Sequence, residues 1–174
     1  MKKILIVVDM QKDFVDGALG SAEAVAILPA VSKKIKDFEG DIYVTYDTHF
    51  EDYLETDEGK TLPVPHCIKG TAGWELHEKV KDALEGREYI SVEKYTFGSV
   101  ALPQLIKEWS GEEFEALLIG LCTDICVVSN ALILKANFPQ NKISVDPECC
   151  AGVTRESHLA ALNTMKMCQI AVAE

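Results

Sequence analysis

The sequence predicts an α/β protein in three layers, a six-stranded parallel sheet sandwiched between helices, on three observations. Short runs rich in Ile, Val and Leu recur along the chain without strict alternation, as strands buried on both faces require. Amphipathic segments of helical period separate them. The 174 residues suit one domain that buries about 70 % of its unfolded surface, and no repeat, low-complexity tract or linker interrupts them.

In chain order, the apolar runs place strands at Lys3–Val8, Ile42–Asp47, Glu88–Val92, Ala116–Gly120, Lys142–Val145 and Gln169–Val172. The periodic segments place helices at Ala22–Asp37, Trp74–Leu84, Val100–Trp109, Cys126–Asn137 and Arg155–Met167. One connection stands apart: Thr48 to Gly73 has little periodicity and holds Leu62-Pro63-Val64-Pro65. A loop of that length within a compact domain usually carries function.

Composition narrows the partners. With 28 acidic and 17 basic residues the net charge is −11, and no Lys/Arg cluster stands out, which argues against nucleic acid and anionic membranes. The run Ile4 to Val8, five residues, is shorter than the about 7–15 of a signal-peptide core. No stretch approaches the about 18 apolar residues of a membrane span. A soluble cytoplasmic protein is expected, its cysteines Cys67, Cys122, Cys126, Cys149, Cys150 and Cys168 mostly reduced. A homo-oligomer is left open.

Ligands in open α/β sheets bind beyond the carboxyl ends of the strands, so the polar residues there are the ones to inspect. Asp9, Asp47 with His49, Lys94 and Cys126 fall after successive strands, on one edge. Taken singly, Asp9 fits a turn former, Lys94 a solvated charge and Cys126 a small buried hydrophobe. Together, an acid, a cation and a cysteine make an activated nucleophile. Cys126 is expected to open a helix, whose N-terminal dipole would lower the thiol pKa. Asp47-Thr48-His49 puts two ligand-type side chains on one side of an extended segment, and His66 closes the long loop. Two His and a carboxylate suit Zn²⁺, Mn²⁺ or Fe²⁺, with Glu58 as a fourth ligand.

These residues also carry a family likeness. Ile6-Val7-Val8-Asp9-Met10-Gln11-Lys12-Asp13-Phe14, Asp47-Thr48-His49, Pro65-His66-Cys67, Gly70-Thr71-Ala72-Gly73, Lys94 with Phe97, and Cys122-Thr123-Asp124-Ile125-Cys126-Val127 together resemble the isochorismatase-like cysteine hydrolases, and within them the nicotinamidases. Asp146 to His158 with Ala160-Ala161-Leu162 is similar to the stretch after the fifth strand, so the likeness spans the chain.

The resemblance implies a Cys126–Asp9–Lys94 triad, a divalent metal, zinc first, on Asp47, His49 and His66, and a cis peptide at Leu121–Cys122. It further implies an oxyanion hole from the backbone N–H groups of Cys122 and Cys126. The substrate would be a small amide: nicotinamide, converted to nicotinate and ammonia through a thioester as part of NAD salvage, with Phe14 and Phe97 against its ring. Thr61-Leu62-Pro63-Val64-Pro65 lacks the aromatic residue that nicotinamidases usually place there, and Trp74 is the candidate substitute. Other readings are a related hydrolase of another carboxamide or ureido compound, and a non-catalytic ligand-binding or partner domain.

Overall fold

The computed structural model describes residues 1–173. The apolar runs become β1 (Lys2–Val8), β2 (Asp41–Asp47), β3 (Ile90–Lys94), β4 (Phe114–Leu121), β5 (Lys142–Ala151) and β6 (Ala171–Val172), in one sheet of order β3-β2-β1-β4-β5-β6. All five pairings are parallel, as the sequence predicts. Successive strands run outward from β1 to β3 and then from β4 to β6, so the winding reverses between β1 and β4. That is the switch point at which such sheets open a crevice.

Alternation along β1 divides the core. Leu5 and Val7 face α1 (Lys12–Val15), α2 (Ala22–Ala26), α3 (Leu28–Asp37) and, after the short α4 (Asp57–Thr61), α5 (Glu78–Leu84). Ile4, Ile6 and Val8 face α6 (Leu102–Trp109), α7 (Val128–Asn137) and α8 (Arg155–Met167). α8 has the predicted bounds, fixed by a capping box in which Thr154 and Ser157 each accept from the other's backbone N–H.

Other boundaries move for physical reasons. The single helix expected over Ala22–Asp37 is broken at Ile27, because Pro29 in the first turn of α3 has no N–H to continue the ladder. β3 starts two residues later than expected: Arg87 is spent on the carbonyls of Lys36 and Phe38, leaving the turn at Gly86 outside the strand. β5 runs on past Val145 through a bulge, Leu118 pairing with Val145 but Gly120 with Cys150, and the bulge takes up Pro147. β6 is only two residues because Gln169 turns out of α8 at φ +62°. The helix expected from Trp74 begins only at Glu78, since Leu76 instead bridges to Gln11. α6 begins at Leu102, whose N–H is taken by Ser99. The Thr48–Gly73 connection is ordered by a 3₁₀ turn at Tyr53–Glu55, by α4 and by a bridge between His49 and Ile68.

Candidate active site and metal centre

Four strand ends meet at the switch point. Val8 pairs with both Thr45 and Gly120, and Asp47 pairs with Lys94, so Asp9, Asp47, Lys94 and the segment after β4 face one crevice. At Gly120, φ is +116° and an added Cβ would lie 2.1 Å from the Val8 carbonyl oxygen. Only glycine allows the two central strands this approach. The Leu121–Cys122 peptide that follows is cis. Thr123–Val127 then forms a π-helical turn that runs into α7, so Cys126 lies inside the first turns of the helix instead of opening it. Such turns are frequent at functional sites.

Asp9 leaves β1 at φ +48°, a conformation Asp adopts more readily than most L residues. Thr45 holds it twice, its hydroxyl donating to Asp9 Oδ1 at 2.6 Å and accepting from the Asp9 N–H at 3.2 Å. Lys94, fully buried, places Nζ 2.7 Å from Asp9 Oδ2, 3.0 Å from Asp47 Oδ1 and 3.5 Å from Cys126 Sγ. The Thr96 carbonyl takes a further bond from Nζ at 3.1 Å. Asn130 ties the two sides together: it donates to the Cys126 carbonyl at 2.8 Å and accepts from the Ser99 N–H at 2.9 Å.

Burial decides the protonation states. It lowers the Lys94 pKa, but Asp9, Cys126 and Asp47 outweigh it and hold the ammonium charged. Burial also raises Asp9 above the usual carboxylate range against the pull of Lys94. For Cys126 the expectation of a lowered thiol pKa is overturned. Burial first, then the Asp9 carboxylate, push it well above its usual value, and Lys94 offsets this only in part. The site thus holds a buried Asp9–Lys94 ion pair beside the Cys126 thiol.

Beside this triad, Asp47, His49, Glu58 and His66 each offer a ligand atom, all within 4.8 Å of one another. His49 Nε2 lies 2.9 Å from Asp47 Oδ2 and 3.6 Å from Glu58 Oε1; His66 Nε2 lies 3.6 and 3.7 Å from the same two oxygens. His66 Nδ1 must donate to the Val64 carbonyl at 2.8 Å, which turns the Nε2 lone pair toward the other three groups. Two imidazoles and two carboxylates suit Zn²⁺, Mn²⁺ or Fe²⁺. Charge points the same way. Burial pushes the Glu58 carboxyl up and the imidazoles only partly offset it, as expected where a compensating cation belongs. Glu58 stands with the other three although its spacing alone did not require it.

Residues given no role by the sequence analysis position these groups. Gln11 is buried; its Nε2 donates to the carbonyls of Asp47 and Trp74, both at 2.8 Å, and its Oε1 accepts from the Asp47 N–H at 2.8 Å. Asp13 accepts from the Cys67 N–H at 2.8 Å and so anchors the chain next to His66. An added Cβ at Gly73 would lie 2.1 Å from Asp13 Oδ2, which requires glycine there. Gln11→Leu should leave the Asp47 N–H and two carbonyls buried without partners, at about 1–3 kcal/mol each. The expected result is a lower melting temperature and a metal affinity reduced about 10- to 100-fold, read by competition with a chromophoric chelator. Unchanged affinity would show that Asp47 holds its place without Gln11.

The crevice is a cavity of about 390 Å³ whose lining includes Phe14, Phe97, Cys122, Cys126, Asp47, Glu58 and His66. Trp74, expected against the substrate, is not on it. Its indole packs at 5.3 Å on Tyr46, and its Nε1–H donates to Thr48 at 2.9 Å. Leu62 and Val153, which the sequence analysis did not single out, do line it.

The isochorismatase domain model matches residues 3–174. A Bacillus subtilis (strain 168) relative named "uncharacterized isochorismatase family protein PncA" is 32 % identical over 174 residues, 94 % of this chain and 93 % of the relative. The crystal structure of nicotinamidase/pyrazinamidase PncA from Bacillus subtilis superposes with a TM-score of 0.87 at 28 % identity, over 100 % of both chains. That of a Pyrococcus horikoshii pyrazinamidase in complex with zinc gives 0.79 at 25 % identity, over 100 % of this chain and 99 % of the other. With a match running from β1 past β6, the chain belongs to the isochorismatase domain family.

Proposed function

We propose that the protein is a nicotinamidase, a hydrolase that converts nicotinamide and water to nicotinate and ammonia. The observation that carries this reading is the packing of Asp9 and Lys94 against Cys126, which lines a cavity together with Asp47, Glu58 and His66 of the ligand cluster. In it, Asp9 takes the Cys126 proton as sulfur bonds to the amide carbon. The proton passes to the departing nitrogen, which leaves as ammonia, and a thioester remains. Water, deprotonated by Asp9, cleaves the thioester and restores the thiol. Backbone N–H groups of Cys122 and Cys126, in the first turns of a helix, receive the oxyanion. Lys94 balances the charge on Asp9 and on the sulfur.

Asp47, His49, His66 and Glu58 would hold the divalent cation, with zinc favoured by the donor set and by the zinc complex of the Pyrococcus horikoshii relative. Bound there, it would offer a Lewis-acid site to a ring nitrogen. Phe14 and Phe97 face the ring. No helix among the described residues is long and apolar enough to cross a membrane. In this reading the nicotinate released would enter NAD salvage in the cytoplasm.

Ammonia release from nicotinamide and benzamide tests this, with the protein metal-loaded, metal-stripped, and as His49→Ala. The expected result is that the loaded protein favours nicotinamide by about tenfold or more, one lost contact of about 1.4 kcal/mol, and that stripping removes the preference. If both amides lose activity equally and the protein melts at a lower temperature, the metal orders the loop and does not position substrate.

A further inference from the structure

The cavity changes character with depth. Asp47, His66 and Cys126 at its base are buried, whereas Leu62, Phe97 and Val153 on its lining remain 38 %, 43 % and 63 % exposed. These three apolar side chains come from separate segments: the end of α4, the loop after β3 and the loop after β5. Scattered apolar surface residues mean little, but several converging on one concave mouth mark surface that a ligand covers. No lysine or arginine lines the cavity, and its carboxylates, Asp47 and Glu58, both belong to the metal cluster. The outer half of the site therefore has nothing to pair with a charged ligand group.

Extent agrees. The cavity of about 390 Å³ extends from Asp47, Glu58 and His66, where the cation would sit, out to Leu62, Phe97 and Val153, farther than a bare six-membered ring carboxamide reaches from Cys126. With its amide at Cys126 and a ring nitrogen toward the metal cluster, such a molecule stays in the base and leaves the apolar mouth wet.

We propose, resting on the amidase reading above, that the preferred substrate is a ring carboxamide bearing an uncharged apolar substituent, which Leu62, Phe97 and Val153 cover at the mouth. The ring position that meets the mouth is the one meta to both the ring nitrogen and the carboxamide, since the other positions lie beside groups engaged at the base.

The test is a series of nicotinamide, 5-methylnicotinamide, 5-ethylnicotinamide and 5-propylnicotinamide, assayed by ammonia release with the metal-loaded enzyme and with Leu62→Ser and Val153→Ser. Both residues are partly exposed, so the variants keep the core intact. Burial of one methylene is worth about 0.8 kcal/mol, so kcat/KM is expected to rise about fourfold per added carbon. In the serine variants the ratio of the propyl to the unsubstituted amide should fall toward one. Hydrolysis of nicotinamide with no gain from the 5-alkyl groups, or a gain that survives both substitutions, overturns the proposal while leaving the amidase reading in place. Hydrolysis of no amide in the series overturns both.

Discussion

Cys126→Ala is expected to abolish amide hydrolysis, with a loss of at least ~10⁴-fold in kcat, whereas Cys122→Ala should keep substantial turnover. The magnitude follows from removing a nucleophile whose partners cannot act without it. The asymmetry follows from geometry. Only Cys126 has Lys94 Nζ at 3.5 Å, on the same ammonium that pairs with Asp9 at 2.7 Å. Cys122 is half-buried at the head of the π turn, its thiol pushed up to about 12 by burial and by Asp124. Ammonia release by the two variants decides the matter, with alkylation mapped by mass spectrometry as the control. An inactivated wild-type enzyme labelled at Cys122 with Cys126 intact would reverse the assignment.

Asp9→Asn is expected to cost about 10²- to 10⁴-fold in turnover, the usual yield of a positioned general base. The fold should persist, because the amide still accepts from Thr45 and Lys94 retains Asp47 at 3.0 Å. A second readout separates this role from a structural one. After burial, the Asp9 charge is the main influence that holds the Cys126 thiol protonated, and Lys94 acts the other way. Without the carboxylate the thiol pKa falls, so iodoacetamide should alkylate Cys126 faster at neutral pH in the variant than in the wild type, while ammonia release collapses. A slower or unchanged alkylation rate in a folded, inactive variant would mean that Asp9 does not control the thiol proton.

Much of this site is legible before any coordinates, because a parallel sheet delivers its strand ends to one edge. Asp9, Asp47 and Lys94 each end or follow an apolar run, so reading the runs places the residues. What escapes is whatever depends on contacts between segments distant in sequence. The thiol pKa is the clearest case: local pattern puts Cys126 near a helix N-terminus, but burial against Asp9 outweighs the dipole. Trp74 looks equally suited to packing and to substrate from its neighbours alone, and only the fold shows its indole against Tyr46 and Thr48, off the cavity lining. Gln11 belongs to the opening motif, but its segment does not show its role, because the atoms it serves belong to Asp47 and Trp74. The break at Ile27 and the bulge after Val145 are different in kind: Pro29 and Pro147 were in view, and tertiary packing decided how the chain absorbed each.

The strand order has a consequence for how activity relates to folding. Asp9, Asp47, Lys94 and the Cys126 turn are brought together by the central quartet β3-β2-β1-β4, so the site exists only when all four are in register. Helices α3 and α7 can form in a partly assembled chain, and circular dichroism would count them. Catalysis would not count such a chain at all. Recovery of enzymatic turnover during refolding is thus an all-or-none gauge of the native population, stricter than any measure of secondary structure, because the pairings it requires join residues far apart in sequence.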